Sequence, residues 1–260
     1  MPARTASEAG ALAANRSLER GLRILRVFRP GSTVLGNSDI AESTGLPRST
    51  VSRLTQTLVA CGFLQHDARA KAYRLGPPVL SLSEALLSGS EFLGAARPFM
   101  RELGESHQVN VSVSVADQCD MVYLESVRIP SAGFARRSSA GRRTPMEMTA
   151  FGRAHLAALP HAERRRLMTI FRKRHLDNWQ RIRAEIDTAI VNVGRQGYCL
   201  AMWLEGVAAI ATPIETHDRQ RYVLGLSATS ETFNARLQKE LVPHFLRTAE
   251  QLRHCASRQR

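Results

Sequence analysis

The stretch Leu46-Pro47-Arg48-Ser49-Thr50-Val51-Ser52-Arg53-Leu54-Thr55-Gln56-Thr57-Leu58 decides the fold of the N-terminal part of the chain. Val51, Leu54 and Leu58 recur at helical spacing, which predicts one buried face. Pro47 stands where a helix tolerates proline, because an N–H at that position would have no intrahelical partner. The stretch therefore predicts an amphipathic helix over 47–62. Its opposite face is polar and carries Ser49, Ser52, Arg53 and Gln56.

That polar face has the chemistry of a DNA-reading helix. Arginine bonds bidentately to guanine, glutamine to adenine, and short hydroxyls reach phosphates or either base. A solvated surface helix has the same composition, however. The pattern alone therefore leaves DNA recognition and a plain solvated face both open.

The flanking residues favour DNA recognition. Residues 37–45 predict a short helix with Asn37 or Ser38 as its N-cap and Gly45 as the left-handed residue that ends it. A short helix, a tight turn and an amphipathic helix form a helix-turn-helix. Two strand-like runs, 63–66 and 72–75, then surround a basic tip and predict a hairpin. The whole arrangement is a winged helix-turn-helix.

Four segments of this region resemble the IclR family of bacterial transcription regulators: Ser17–Leu25, Ile40-Ala41, Gly45–Leu54 and Tyr73–Gly76. The resemblance extends from Ser17 to the last helix, and it is more specific in the N-terminal part than in the C-terminal part. It implies a DNA-binding winged helix followed by a GAF-like domain that binds a small effector.

The net charge of the chain supports a polyanionic partner. The 260 residues carry 36 Lys and Arg against 23 Asp and Glu, a net charge of +13 with a pI near 10.8. This balance favours nucleic acid first and acidic membranes second. Residues 1–75 hold 11 basic and 5 acidic side chains, a balance of +6, which leaves +7 for the rest of the chain. The charge therefore does not locate the DNA-binding site.

The cysteines and the hydropathy indicate a compartment. Cys61, Cys119, Cys199 and Cys255 are widely spaced, which is typical of reduced thiols. No apolar run approaches the roughly 20 residues that cross a bilayer, and the N-terminus is not a signal peptide. We expect a cytoplasmic protein without membrane association.

The chain divides into four predicted segments: a disordered leader (1–15), a winged helix-turn-helix domain (16–77), a linker helix (78–90) and an effector domain (91–260). The first helix, Ser17 to Phe28, has Leu18, Leu22 and Leu25 as its predicted buried stripe. The leucine-rich linker is either a place where subunits meet or a plain spacer.

The effector domain reads as an α+β fold with an antiparallel sheet flanked by helices. Val109, Val111, Val113 and Val115 alternate with polar residues and predict a half-buried strand. The other predicted elements are a helix over 92–107, a hairpin partner over 121–127, helices over 148–159, 161–174 and 179–196, strands over 206–214 and 222–227, and a closing helix over 232–255.

The resemblance places an effector pocket between the sheet and residues 141–152. It would be lined by Thr144, Ala150, Phe151, Ala209, Gly225 and Ser227. A helix N-terminus attracts a carboxylate and Phe151 offers an apolar wall, so the expected effector is a small organic acid, with aromatic acids among the candidates. Phe151 and Met146 as ordinary core residues are the alternative. Arg136, Arg137, Arg142 and Arg143 could neutralise an anionic effector.

One segment departs from the family. An acidic cluster usually follows the Gly-Tyr pair, but residues 199–205 are nearly all apolar here, and Ala201 stands where the pocket's polar contact would be. Either the effector is more apolar than usual or the pocket has lost its ligand.

Catalysis has little support. The sequence contains none of the common nucleotide-binding, hydrolase or zinc-protease motifs. His155 lies in an apolar run, which favours a buried histidine over a base or ligand. We expect no enzyme activity, no cofactor and no metal. A catalytic C-terminal domain and an effector-independent DNA-binding protein remain the two rival interpretations.

The leading interpretation is a repressor or dual regulator that binds a pseudo-palindromic operator as a homodimer or a dimer of dimers. Arg53 and Gln56 would contact base edges, and the wing-tip residues Arg69 and Lys71 would contact phosphates or the minor groove. Phosphate or mixed contacts would come from Arg48, Ser49, Thr50 and Ser52.

Overall fold

The computed structural model describes residues 15–129, 139–217, 219–230, 233 and 235–258. Residues 1–14 of the expected leader, and Arg136 and Arg137 of the possible effector contacts, lie outside these ranges. The chain forms two compact units, one up to Leu86 and one from Leu87. Within the described residues, no helix combines the length and apolarity that a membrane span requires.

The N-terminal unit has the predicted helix-turn-helix followed by a hairpin. Its elements are α1 (Arg16–Leu25), α2 (Asn37–Thr44), α3 (Arg48–Ala60), β1 (Leu64–Asp67) and β2 (Ala72–Leu75), and α4 (Pro78–Ser88) begins here and crosses the division between the units. Gly45 ends α2 with φ of 68°, as predicted, and its N–H donates to the Ala41 carbonyl. The N-cap is Gly36, whose N–H donates to the Asp39 carboxylate at 2.8 Å, so the assignment to Asn37 or Ser38 was wrong.

The predicted buried stripe of α1 is wrong at Leu18 and Leu22, although Leu25 packs against the core. Leu18 and Leu22 are 62% and 52% exposed, whereas Gly21 and Ile24 are buried. The buried face is turned by about a quarter of the helix circumference from the leucine stripe. Helical periodicity identifies an apolar stripe, but it does not show whether other residues of the same chain bury that stripe. The core of the unit consists of Ile24, Phe28, Ile40, Leu46, Val51, Leu64 and Tyr73.

The C-terminal unit is built on a six-stranded antiparallel sheet in the order β5-β4-β3-β8-β7-β6, which confirms the α+β prediction. Its helices are α5 (Glu91–His107), α6 (Ala150–Ala158), α7 (His161–Arg174), α8 (Trp179–Gln196) and α9 (Ala235–Arg258). Its strands are β3 (Asn110–Asp117), β4 (Asp120–Val127), β5 (Arg143–Pro145), β6 (Cys199–Leu204), β7 (Val207–Glu215) and β8 (Arg221–Thr229). Sequence reasoning missed β5 and β6, since the first has only three residues and the second lacks alternation.

The prediction of a half-buried β3 was also wrong, because Ser112 and Ser114 are buried, like Val111 and Val113. β3 lies between β4 and β8 in the middle of the sheet. Val111 and Val113 pack in a cluster with Met100 of α5 and Phe245 of α9. A second cluster, formed by α6, α8 and residues such as Tyr123 and Val223 of the sheet, packs separately from the first. Helices therefore cover both faces of the sheet.

Candidate functional site

The polar face of α3 is open to solvent. Arg48, Ser49, Arg53 and Gln56 are exposed, and Thr50 and Ser52 are half-buried. On the other side Val51 is fully buried. The buried Thr55 hydroxyl bonds the Val51 carbonyl at 3.0 Å and the Asn37 side-chain oxygen at 3.4 Å, which ties α3 to the first turn of α2. Packing thus fixes the helix from behind and leaves the predicted reading face free.

The tip of the hairpin is shaped by Asp67, which sequence reasoning did not single out. Its carboxylate accepts the N–H groups of Arg69 and Ala70 at 3.1 and 3.0 Å and the Arg74 guanidinium at 2.9 Å. The hydrogen bond from the Ala70 N–H is the largest cause that holds the pKa of Asp67 below its usual value. Burial opposes this effect, and the Arg74 guanidinium adds to it. With its one acidic group engaged in the turn, the tip presents Arg69 and Lys71 as exposed cations. Asp67 stands two residues before Arg69 and three before Ala70, and this spacing is typical of an Asx-turn. The spacing could have identified Asp67 from the sequence.

The hairpin is anchored to the helix-turn-helix. Leu35 and Tyr73 exchange two backbone hydrogen bonds of 3.1 and 2.8 Å, and the Tyr73 side chain lies in the core of the unit. The wing is therefore a fixed part of the N-terminal unit.

A cavity of about 60 Å³ lies in the C-terminal unit. Five of the six predicted effector residues line it: Thr144, Ala150, Phe151, Ala209 and Ser227. The sixth, Gly225, lies beneath the Phe151 ring, since an added Cβ would stand 2.4 Å from Phe151 Cζ. The remaining lining residues are Tyr123, Arg142, Thr149, Ala201, Trp203, Leu204 and Val207.

Sequence reasoning missed several of these residues. Tyr123 shares a face of β4 with the buried Met121, a period-two signal that places it inward. Trp203 and Leu204 lie in β6, the strand that the sequence did not reveal. Ala201 is in the wall of the cavity at the position where the family resemblance implies a polar contact.

The cavity is polar at one side and apolar at the other. Arg142 and Thr144 belong to the β5 side. The wall formed by β6 and β7 is apolar apart from the backbone and the indole N–H of Trp203, and it contains Ala201, Trp203, Leu204, Val207 and Ala209. Arg143 is held elsewhere, by Asp117 at 2.5 Å and Asp120 at 3.0 Å. Of the arginines in the described part of this loop, Arg142 is therefore the one that reaches the cavity.

Two hydroxyls beside Arg142 are buried. Thr144 Oγ1 has no partner of hydrogen-bond geometry among the described residues, although it lies near enough to Tyr123 to lower the pKa of that phenol. Burial outweighs this effect and that of Arg142, and raises the pKa of Tyr123 to about 12. The phenol is therefore protonated at neutral pH. Beside Arg142, an anion in the cavity would meet these two neutral hydroxyls.

The start of α6 also borders the cavity. Thr149 caps the helix and accepts the Gly152 N–H at 3.2 Å. Ala150 and Phe151 occupy the first two helical positions, where the backbone N–H groups lack intrahelical partners. The helix dipole adds a weak attraction for an anion at this end.

His155 is buried, as predicted. Burial and the nearby Arg221 lower its pKa to about 4, so the imidazole is neutral at pH 7. The described residues contain no group of three or more His, Cys, Asp or Glu side chains that could hold a metal ion.

Comparison with known proteins agrees with both units. The sequence profile of the IclR helix-turn-helix domain matches residues 17–68, and that of the bacterial transcriptional regulator IclR C-terminal domain matches residues 84–254. The HTH-type transcriptional regulator TsaQ1/TsaQ2 of Comamonas testosteroni is 37% identical over 186 residues, 71% of this chain and 66% of that protein.

Solved structures share the fold. An IclR family transcriptional regulator from Brucella abortus, 33% identical, superposes with a TM-score of 0.85 over 94% of this chain and 95% of its own. An IclR homologue from Microbacterium hydrocarbonoxydans, 21% identical and complexed with 4-hydroxybenzoate, has a TM-score of 0.67 over 92% of this chain and 98% of its own. The chain belongs to the IclR family of DNA-binding transcription regulators.

Proposed function

We propose that this protein binds a pseudo-palindromic operator, as a repressor or dual regulator in the cytoplasm, and that a small organic acid modulates it. The observation that carries the DNA-binding part is α3, where Val51 is buried and Arg53 and Gln56 on the opposite face are exposed. A recognition helix needs this arrangement, because it is held by its own domain on one side and enters the major groove with the other.

The polar residues of α3 and of the wing tip have different roles in this proposal. Arg53 and Gln56 read base edges, and the wing-tip residues Arg69 and Lys71 contact phosphates or the minor groove. Phosphate or mixed contacts come from Arg48, Ser49, Thr50 and Ser52.

The protein acts as a homodimer or a dimer of dimers in this proposal. Leu80, Leu82 and Leu86 of α4 are 60–75% exposed, and Leu18 and Leu22 of α1 are more than half exposed. Exposed leucines at this density are typical of an interface between subunits. In the proposed domain organisation, α4 belongs to the linker helix (78–90) between domains 16–77 and 91–260. The exposed leucines of α4 favour a contact between subunits over a plain spacer.

Selection from a random duplex library by the full-length protein, at near-physiological salt, tests the DNA-binding proposal. We expect a two-fold symmetric motif with fixed half-site spacing. Strong salt-sensitive binding without an enriched motif would mean that the +13 charge acts alone and would refute the specific regulator.

Replacing Lys71 with alanine should weaken binding to operator and random DNA by the same factor. A phosphate contact carries no sequence information, so the plot of log K against log salt should become shallower by about one unit. Titrations at several salt concentrations measure the slope. Lys239→Ala, an equal charge change at an exposed position of α9, is the matched control and should leave the slope unchanged. A loss confined to the operator would contradict the phosphate role.

The polarity of the cavity supports an organic acid as effector. Its carboxylate would lie beside Arg142 and Thr144, and its apolar part against Trp203 and the alanines of β6 and β7. The Microbacterium homologue holds 4-hydroxybenzoate, an aromatic acid. In this proposal Arg142 and Thr144, on the β5 side, make the polar contact to the effector that Ala201 cannot make.

The Arg142→Gln variant should bind such an acid about 10–100-fold more weakly, because a hydrogen bond to a charged group contributes roughly 1.5–3 kcal/mol. Thermal shift against a panel of aromatic and aliphatic monocarboxylates identifies a ligand, and quenching of Trp203 fluorescence then gives its affinity. Arg195→Gln on the exposed part of α8 is the control. An equal loss for the uncharged amide of the same ligand would contradict a carboxylate contact at Arg142.

The same measurements separate the rivals. The apolar Ala201 is the feature that favours an effector-independent DNA-binding protein. Such a protein would show no thermal shift with any acid of the panel. A catalytic C-terminal domain predicts that full-length protein consumes an acid that it binds, which mass spectrometry of the incubated panel detects.

A further inference from the structure

A second concave surface in the C-terminal unit lies between α7 and α8, and we call it the α7/α8 groove. It has a volume of about 550 Å³. Its basic and polar wall contains His161, Arg164, Arg165, Thr169, Arg172, Arg183 and Asp187, and its apolar floor contains Met168, Trp179, Ile190 and Val191. None of these residues lines the effector cavity.

The groove is strongly cationic because its acids are few or occupied. Glu163, the single acid of α7, lies 3.6 Å from Arg221 of β8. Asp187 lies 3.6 Å from Arg183. Arg165 and Arg172 are exposed, and in the described part of the chain neither forms an ion pair. Four arginines thus face one acid, and two of them have no partner within the described residues.

The floor distinguishes the groove from an ordinary solvated helix face. Val191 is 53% exposed, and Met168 and Ile190 are half-buried between the arginines. Apolar surface rimmed by charge is typical of protein–protein contact sites. A nucleic acid backbone has little apolar surface to cover such a floor, and Asp187 would repel its phosphates.

We propose that the α7/α8 groove binds an acidic amphipathic helix of a partner protein. Arg165 and Arg172 are seven residues apart, two helical turns or about 10.5 Å, and Met168 lies between them on the same face. A ligand helix with an apolar stripe at positions i, i+3, i+4 and i+7 and glutamates beside the stripe matches this spacing. The net charge of +13 makes a second copy of this chain a poor source of such a segment.

The probe is a fluorescein-labelled 18-residue peptide of Leu, Glu and Ala with this stripe. Two further peptides serve for comparison, one with the same composition but no stripe and one with Lys in place of Glu. Anisotropy with the full-length protein should show saturable binding of the striped acidic peptide alone. Equal binding of the peptide without the stripe, or no binding of the striped one, would refute the proposal.

Substitutions in the groove should act locally. Arg165→Glu/Arg172→Glu should weaken peptide binding at least about tenfold and transfer preference to the Lys peptide, since like charges now face each other. Val191→Ser should weaken binding independently, because it removes apolar surface from the floor without adding a charge. Arg166→Glu/Lys173→Glu is the matched control with an equal change in net charge, because both residues are exposed on α7 but outside the groove. A similar loss with this control would mean that only net charge matters.

Two other occupants would also overturn the proposal. If Arg165→Glu/Arg172→Glu lost random-duplex affinity tenfold while the control variant did not, the groove would be a DNA contact. If it changed the sedimentation coefficient of the protein, the groove would be an interface between copies of this chain. Unchanged duplex affinity and sedimentation, together with the peptide result, support the partner helix.

Discussion

An alanine at position 152 is expected to destabilise the C-terminal unit by about 3 kcal/mol, the upper end of what overpacking usually costs. The added methyl would stand 2.0 Å from Met146 O and 2.3 Å from Met146 Cα. Both atoms are backbone, so no side-chain rotation relieves the clash. Met146 is fully buried and its N–H donates to the Cys119 carbonyl, so the turn cannot easily withdraw.

Helix propensity alone would predict the opposite effect of Gly152→Ala on stability. Alanine is favoured over glycine by roughly 1 kcal/mol inside a helix. Gly194→Ala on α8 is the matched control, because nothing lies within 4 Å of its added Cβ, and it should stabilise the protein by up to that amount. Urea unfolding followed by circular dichroism measures both. Equal midpoints for the two variants would show that the turn before α6 moves to accommodate the added methyl group.

Sequence patterns predicted best those helix ends that are determined by a proline or glycine next to the helix. α7 and α8 begin and end at the predicted residues, because Pro160 precedes one and Gly197, with φ of 84°, ends the other. Proline and glycine act through their own backbone, so their effect is visible in sequence.

Features that depend on neighbours were missed. The stripe of Leu18 and Leu22 was assigned to the core because periodicity does not identify which apolar face the same chain covers. Ser114 is fully buried because β4, β8 and the helices surround it, and none of these is adjacent in sequence. On the polar side of the cavity, Thr144 and Arg142 were named from the sequence, whereas Tyr123, which comes from another strand, was missed.

Replacing Arg53 with alanine is expected to reduce operator affinity by about 1–3 kcal/mol, roughly 5- to 150-fold, and to abolish base preference at one position of each half-site. The protein itself should be unaffected. Arg53 is exposed, no described residue bonds its guanidinium, and arginine and alanine are both good helix formers. The loss therefore reports on DNA contact and not on folding.

The measurement is binding to the selected operator and to its single-base variants at one fixed salt concentration. Arg53→Ala should flatten the preference at a single base pair, because a bidentate contact to guanine discriminates by the geometry of its two acceptors. Arg48→Ala, at the exposed first turn of the same helix, is the control, since a phosphate contact should weaken all duplexes alike. If the Arg53 variant kept the wild-type preference at every position, base reading would have to be assigned to Gln56 and its neighbours, and Arg53 would join the phosphate contacts.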